Sequence, residues 1–123
     1  MEIKVLDTNI LLDRPFEDIL KTYKEPSIFV LPHVVLKELD TYKKGMEPKN
    51  EMARAAIRTL DGLREKGDLS KGVPFGKHMV RVALEESDLN LDKPDYEIIR
   101  ITKELGGSLI TQDINERVVA DTI

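Results

Sequence analysis

Ile3-Lys4-Val5-Leu6-Asp7-Thr8-Asn9 opens the chain with a short apolar strand that runs directly into an acid and two further helix-capping residues. Working outward, the alternation of strand and helix signals continues. Ser27–Leu31, set between Pro26 and Pro32, is a second strand candidate. From His33 the spacing turns helical, with Val34, Val35, Leu36, Leu39 and Tyr42 apolar until Gly45 ends the run. Asn50 is expected to cap the longest helix, which runs to about Lys66 with Met52, Ala56, Leu60 and Leu63 as its buried stripe. Gly72 through Lys77 reads as turn, and Val80, Val82 and Leu84 predict a third strand at a sheet edge. Pro94 stands where it opens a helix, with Ile98, Ile99, Ile101, Thr102 and Leu105 on its apolar face and Gly106-Gly107 closing it. Ser108–Thr111 is expected as a short buried strand and Ile114 to Ile123 as a last helix. This alternation predicts an α/β fold, a three-layer α/β/α sandwich around a mostly parallel sheet. At 123 residues, one domain spanning 1–123 is expected.

Composition narrows the chemistry. With 41% hydrophobic and 34% charged residues the chain is that of a globular protein. It contains no cysteine, which excludes disulfides, zinc–thiolate sites and thiol catalysis. The first residues lack the basic and long apolar regions of a signal peptide and no apolar run approaches a bilayer span, so no signal peptide and a reducing, cytoplasmic setting without membrane contact are expected. The net charge of −4 opposes bulk electrostatic grip on nucleic acid, although carboxylates that bind cations make the working molecule less negative.

In a parallel α/β sheet, functional groups gather at the carboxyl ends of the strands. Asp7 follows the first strand and Asp113 the last, Asp95 stands in the first turn of the helix leading to that last strand, and Glu38 lies about one and a half turns into the helix after the second. Each has an ordinary reading, as a helix cap for Asp7 and Asp113, a first-turn carboxylate for Asp95 and a solvated helix residue for Glu38. Three of them stand at junctions along one rim of the sheet, and Glu38 is carried on a helix long enough to lean over it. Carboxylates that converge in this way repel unless they share protons or bind cations. Oxygen ligands without His or Cys suit Mg²⁺ or Mn²⁺, and such an ion activates water against a phosphodiester.

These residues resemble the PIN-domain nucleases. Val5-Leu6-Asp7-Thr8-Asn9-Ile10-Leu11-Leu12 is similar to the family's first strand and turn. The run from Pro32 to Asp40 resembles its second acidic motif, Asp95-Tyr96-Glu97-Ile98-Ile99 its third and Thr111-Gln112-Asp113 its fourth. The likeness is closest to the PIN domains that precede PhoH-type ATPase domains, and it covers nearly the whole chain. It implies a Rossmann-like sandwich and an Mg²⁺- or Mn²⁺-dependent endoribonuclease, with single-stranded RNA as the expected substrate. Carried over, Asp7, Glu38, Asp95 and Asp113 hold the metal, while Asn9 and Thr111 orient them. Asp40 and Asp92 rank lower, the first because it points away from Glu38 on the helix, the second as a turn residue before Pro94. By analogy with the family a homodimer and a separate ATPase or regulatory partner are candidate associations, and the further edge strand that family members carry is here missing, supplied by a partner or dispensable.

Arg54 and Arg58, continuing from Lys43, Lys44 and Lys49, form a basic helical stripe. Arg54, Arg58 and Lys44 are candidates for contact with the phosphate backbone, with Arg54 foremost; the alternative is a solvated face pairing Arg54 with Glu51 and Arg58 with Asp61. His33 and His78 belong to no metal-ligand spacing and are read as structural or incidental. The few aromatics offer no base-stacking platform. A non-catalytic binding module for nucleic acid or protein is the principal rival. A haloacid dehalogenase-type phosphohydrolase needs a second Asp at position 9, which is Asn, and a receiver domain needs a Lys near the last strand where Thr111-Gln112-Asp113 stands.

Overall fold

A computed structural model describes residues 1–83 and 94–110, apart from the side chains of 94–97. The elements run β1 (Glu2–Leu6), α1 (Thr8–Asp13), α2 (Phe16–Thr22), β2 (Ser27–Pro32), α3 (His33–Tyr42), α4 (Pro48–Lys66), β3 (Val73–Phe75), β4 (His78–Ala83), α5 (Pro94–Leu105) and β5 (Ser108–Ile110). Asp92, Thr111, Asp113 and the helix expected at Ile114 to Ile123 lie outside the described residues.

The strands form one sheet in the order β3-β4-β2-β1-β5, parallel throughout except for β3, which runs antiparallel to β4. Val5 and Leu6 are consecutive in β1, and Phe29, Val30 and Leu31 in β2, and all five are fully buried. A strand buried at successive positions has both faces covered, so the architecture is the predicted three-layer α/β/α sandwich. Phe16, Ile19 and Leu20 of α2, Leu39 of α3, Ala53, Ala56, Leu60 and Leu63 of α4, and Ile98 and Ile101 of α5 complete the core.

Several local expectations are corrected. Residues 72–77 are more than a turn: β3 pairs back onto β4 through a two-residue hairpin, and Gly76 at φ +59 supplies the positive φ that such a connection requires. With β3 outside it and β2 inside, β4 is an interior strand, and the edge falls to β3, where Pro74 needs no ladder hydrogen bond. Glu47, not Asn50, caps α4. Asn50 occupies the third helical position of a capping box, its Oδ1 accepting from the Glu47 amide at 3.0 Å, with Pro48 in the first turn. Ala53 joins the buried stripe of α4, whereas Met52 is only half-buried. β5 is an edge among the described strands, with Ser108 exposed and Leu109 and Ile110 half-buried rather than fully buried.

The sheet order turns at β1, which has β2 and β4 on one side and β5 on the other. A crevice at the carboxyl ends of the strands opens at such a reversal. The Asp7 amide donates to the Ile110 carbonyl at 3.3 Å, carrying the β1–β5 pairing one residue past Leu6 and setting Asp7 at that point.

Candidate functional site

Asp7 is placed by the end of β1 and the start of α1 together. Its backbone is still extended (φ −92°, ψ 173°), and its Oδ1 accepts a hydrogen bond from the Ile10 amide at 3.0 Å, so it is the N-cap of α1. The capping role is therefore real, and the same side chain is only 1% exposed, so Asp7 is a buried carboxylate at the end of β1.

Glu38 arrives from α3, half-buried. The hydroxyl of Thr8, itself 5% exposed, donates to Glu38 Oε1 at 2.8 Å. Two consecutive residues thus set both acids, Asp7 through its cap bond and Glu38 through Thr8. Asn9, expected to provide this support, is exposed on the next position of α1. The signal that could have singled out Thr8 is slight: a β-branched hydroxyl residue at the first helical position beside an acid. Its bond partner depends on how α1 packs against α3, which no local pattern encodes.

Asp95 lies in the first turn of α5. A helix crossing between parallel strands runs back along the sheet, so its first turn stands at the rim formed by the strands' carboxyl ends. The side chain of Asp95 falls outside the description, as do Thr111 and Asp113, which follow β5. Among the described residues no three acids or histidines converge as a metal cage, and Asp7 and Glu38 are the described members of the expected four. Their donor atoms are carboxylate oxygens in a chain without cysteine, which fits a hard cation of the Mg²⁺ or Mn²⁺ type.

The basic residues are placed differently from the expected stripe. Arg54 Nη1 donates to the carbonyls of Lys43 and Gly45, each at 2.7 Å, and Nη2 reaches Glu51 Oε2 at 2.8 Å. Its guanidinium is thereby committed to closing the turn between α3 and α4. Arg58, more exposed, pairs with the same Glu51 at 3.4 Å rather than with Asp61, which Arg64 approaches instead. Hydrogen bonds and charge from these arginines, Arg54 above all, hold the Glu51 carboxyl below the ordinary glutamate range. Lys44 is exposed. Asp40 pairs with Lys43 at 2.6 Å, and that hydrogen bond lowers its pKa.

His78 is buried, bonded through Nδ1 to the Ser27 amide at 3.1 Å and through Nε2 to the Tyr23 carbonyl at 3.1 Å, and it meets Phe29 edge-on. Beside it Lys4, 6% exposed, donates to Ser27 Oγ and Glu2 Oε2, each at 2.9 Å, with its ammonium over the Tyr23 ring. Ser27 begins β2 and His78 begins β4, so this network ties the amino ends of the strands, at the opposite end of the sheet from Asp7. Two cavities lie elsewhere. One of about 540 Å³ is lined by Phe16, Arg58, Lys66 and Phe75, and one of about 240 Å³ by Leu36, Ile57, Leu60 and Val82. Neither is lined by Asp7 or Glu38.

A family described as "PIN domain" matches residues 4–123. The chain is 30% identical, over a 141-residue alignment, to "Protein PhoH2" of Bacillus subtilis (strain 168), and 31% identical over 132 residues to "Protein PhoH2" of Thermobispora bispora. Those alignments cover 99% and 97% of this chain but 31% and 29% of the relatives, so the chain spans just under a third of their length. It is 23% identical over 122 residues to an "Uncharacterized PIN and TRAM-domain containing protein YacL" of Bacillus subtilis. Among solved structures, a domain of a functionally unknown protein from Methanocaldococcus jannaschii superposes with a TM-score of 0.66 at 22% identity, covering 99% of this chain and 86% of that one, which supports the fold alone. Among the described residues, no helix is long and apolar enough to cross a membrane.

Proposed function

This chain belongs to the PIN-domain family, which implies a nuclease-type function, and on that premise we propose that it is an Mg²⁺- or Mn²⁺-dependent ribonuclease that hydrolyses phosphodiester bonds in single-stranded RNA. The observation that supports this most is the buried Asp7 carboxylate at the reversal point of the sheet, with Glu38 drawn towards the same turn by the residue next to Asp7.

Asp7, Glu38, Asp95 and Asp113 would hold the cation. When bound, it lowers the pKa of a water and offsets the charge that builds on the phosphoryl oxygens. The chain's own contribution is order. The Ile10 amide fixes Asp7 Oδ1, the Thr8 hydroxyl fixes Glu38 Oε1, and the first turn of α1 carries both of these donors, so less reorganisation is left for the reaction itself. Asp95 enters from the first turn of α5 and Asp113 from beyond β5 in this reading. Because Arg54 is committed to the α3–α4 turn, contact with the RNA backbone falls to exposed Lys44 and Arg58. A partner with ATPase activity, or a second copy of the chain, belongs to the same proposal.

The test is cleavage of an end-labelled single-stranded RNA with Mn²⁺, with EDTA and with the Asp7→Asn variant. Cleavage is expected with Mn²⁺ alone. Activity that survives EDTA or the substitution removes the mechanism, and tight RNA binding without cleavage makes the domain a binding module instead.

A further inference from the structure

We infer that Thr8 is a positioning residue, whose hydroxyl holds the Glu38 carboxylate in the orientation from which it and Asp7 take the same cation. The inference rests on the metal-dependent reading above and deepens it. Thr8 is 5% exposed, so its hydroxyl is shielded from exchange with bulk water, and its 2.8 Å bond is short enough for a strong hydrogen bond to a carboxylate. The bond spans thirty positions of sequence and joins two helices. Glu38 has three rotatable side-chain bonds, and a carboxylate free to sample rotamers must be ordered when a cation binds. Thr8 removes part of that freedom beforehand. Its own side chain is stiff about χ1, and its backbone is the first helical residue after the Asp7 cap, so one turn fixes both donors. Asn9, exposed on the same helix, makes no such bond among the described residues.

The alternative is that the bond merely ties α1 to α3. Titration of purified protein with Mn²⁺, followed by the paramagnetic resonance of the free ion, separates the two when urea unfolding is measured alongside without metal. Thr8→Val keeps the shape and removes the donor, whereas Thr8→Ser keeps the donor. The expected result is a Mn²⁺ affinity about 10–100-fold weaker in Thr8→Val and within about threefold of the parent in Thr8→Ser. Thr8→Ala carries the same expectation should Thr8→Val fail to fold. Equal affinity in parent and hydroxyl-free variants overturns the inference, as does a loss that Thr8→Ser shares. If the parent itself takes up no Mn²⁺, the metal-dependent reading fails and the inference falls with it.

Discussion

Arg54 donates to the carbonyl of Gly45 at 2.7 Å, across the turn that joins α3 to α4. The same nitrogen also holds the Lys43 carbonyl, and Asn50 Nδ2 donates to the Tyr42 carbonyl at 2.6 Å, so the last carbonyl of α3 and that of its C-cap are satisfied by side chains of α4. Gly45 is required for this closure, because a Cβ there would stand 2.1 Å from Asn50 Oδ1. Of the two readings the sequence allows for Arg54, a phosphate contact or a pair with Glu51, the fold contains the pair, extended into a clasp on the helix that carries Glu38.

Arg54→Ala should therefore act on stability first. Losing charged hydrogen bonds to two partly buried carbonyls should lower the unfolding free energy by about 2 kcal/mol in a urea titration. RNA affinity and its salt dependence should stay close to the parent's under conditions where the variant is folded. An unchanged unfolding midpoint with weakened RNA binding would return Arg54 to the substrate interface.

Glu51 gives a pH signature of the same clasp. Its carboxyl is held below the ordinary glutamate range, mainly by the Arg54 hydrogen bond, so protonation favours the unfolded chain. Its contribution is complete above the ordinary glutamate pKa and disappears as pH falls through the lower folded value. Carboxyl-carbon NMR should find Glu51 titrating below a free glutamate, and in Arg54→Gln it should return towards the ordinary range. A midpoint indifferent to Arg54 would contradict the assignment.

Much of this molecule is legible in its sequence because burial is periodic. The apolar runs at β1 and β2, the 3.6-residue stripes of α3, α4 and α5, and the stop at Gly106-Gly107 all depend on neighbours within a few residues. The misreadings share a different cause. Phe16, Ile19 and Leu20 make α2 a core helix of only seven residues, too short for a stripe to stand out. The half-polar alternation of β4 suggested an edge, but whether a strand has a neighbour outside it depends on the 73–75 segment folding back through Gly76. At the site, the local pattern marks Asp7 at a strand-to-helix junction and Glu38 on the helix that follows the second strand. That Thr8 joins them, and that Arg54 turns inward, follows from which helices meet, and pairings between distant segments leave no local period to read.

His78 is buried between β2 and the Tyr23 carbonyl, and its bonds define one tautomer. The Ser27 amide donates to Nδ1, so the ring proton sits on Nε2 and is donated to the Tyr23 carbonyl. Nitrogen-15 NMR should show that Nε2–H form in the folded protein. His78→Ala, which opens a cavity and strands a buried amide, should lose about 3 kcal/mol of stability. An Nδ1–H tautomer, or a neutral effect of the substitution, would contradict this picture of the amino end of the sheet.

Asp7 combines a cap with a buried charge, and two substitutions divide these roles. Asn caps as well as Asp, so Asp7→Asn should fold at least as stably as the parent without metal, whereas Asp7→Ala should lose about 1 kcal/mol. Thermal unfolding in EDTA decides the matter. If Asp7→Asn falls as far as Asp7→Ala, the carboxylate itself is structural.

The most direct measurement is anomalous diffraction from crystals grown with Mn²⁺. A peak within about 2.1–2.3 Å of carboxylate oxygens of both Asp7 and Glu38, absent from Asp7→Asn crystals grown alike, is the predicted result. Crystals that hold Mn²⁺ elsewhere and leave those two carboxylates without a peak would contradict the central claim.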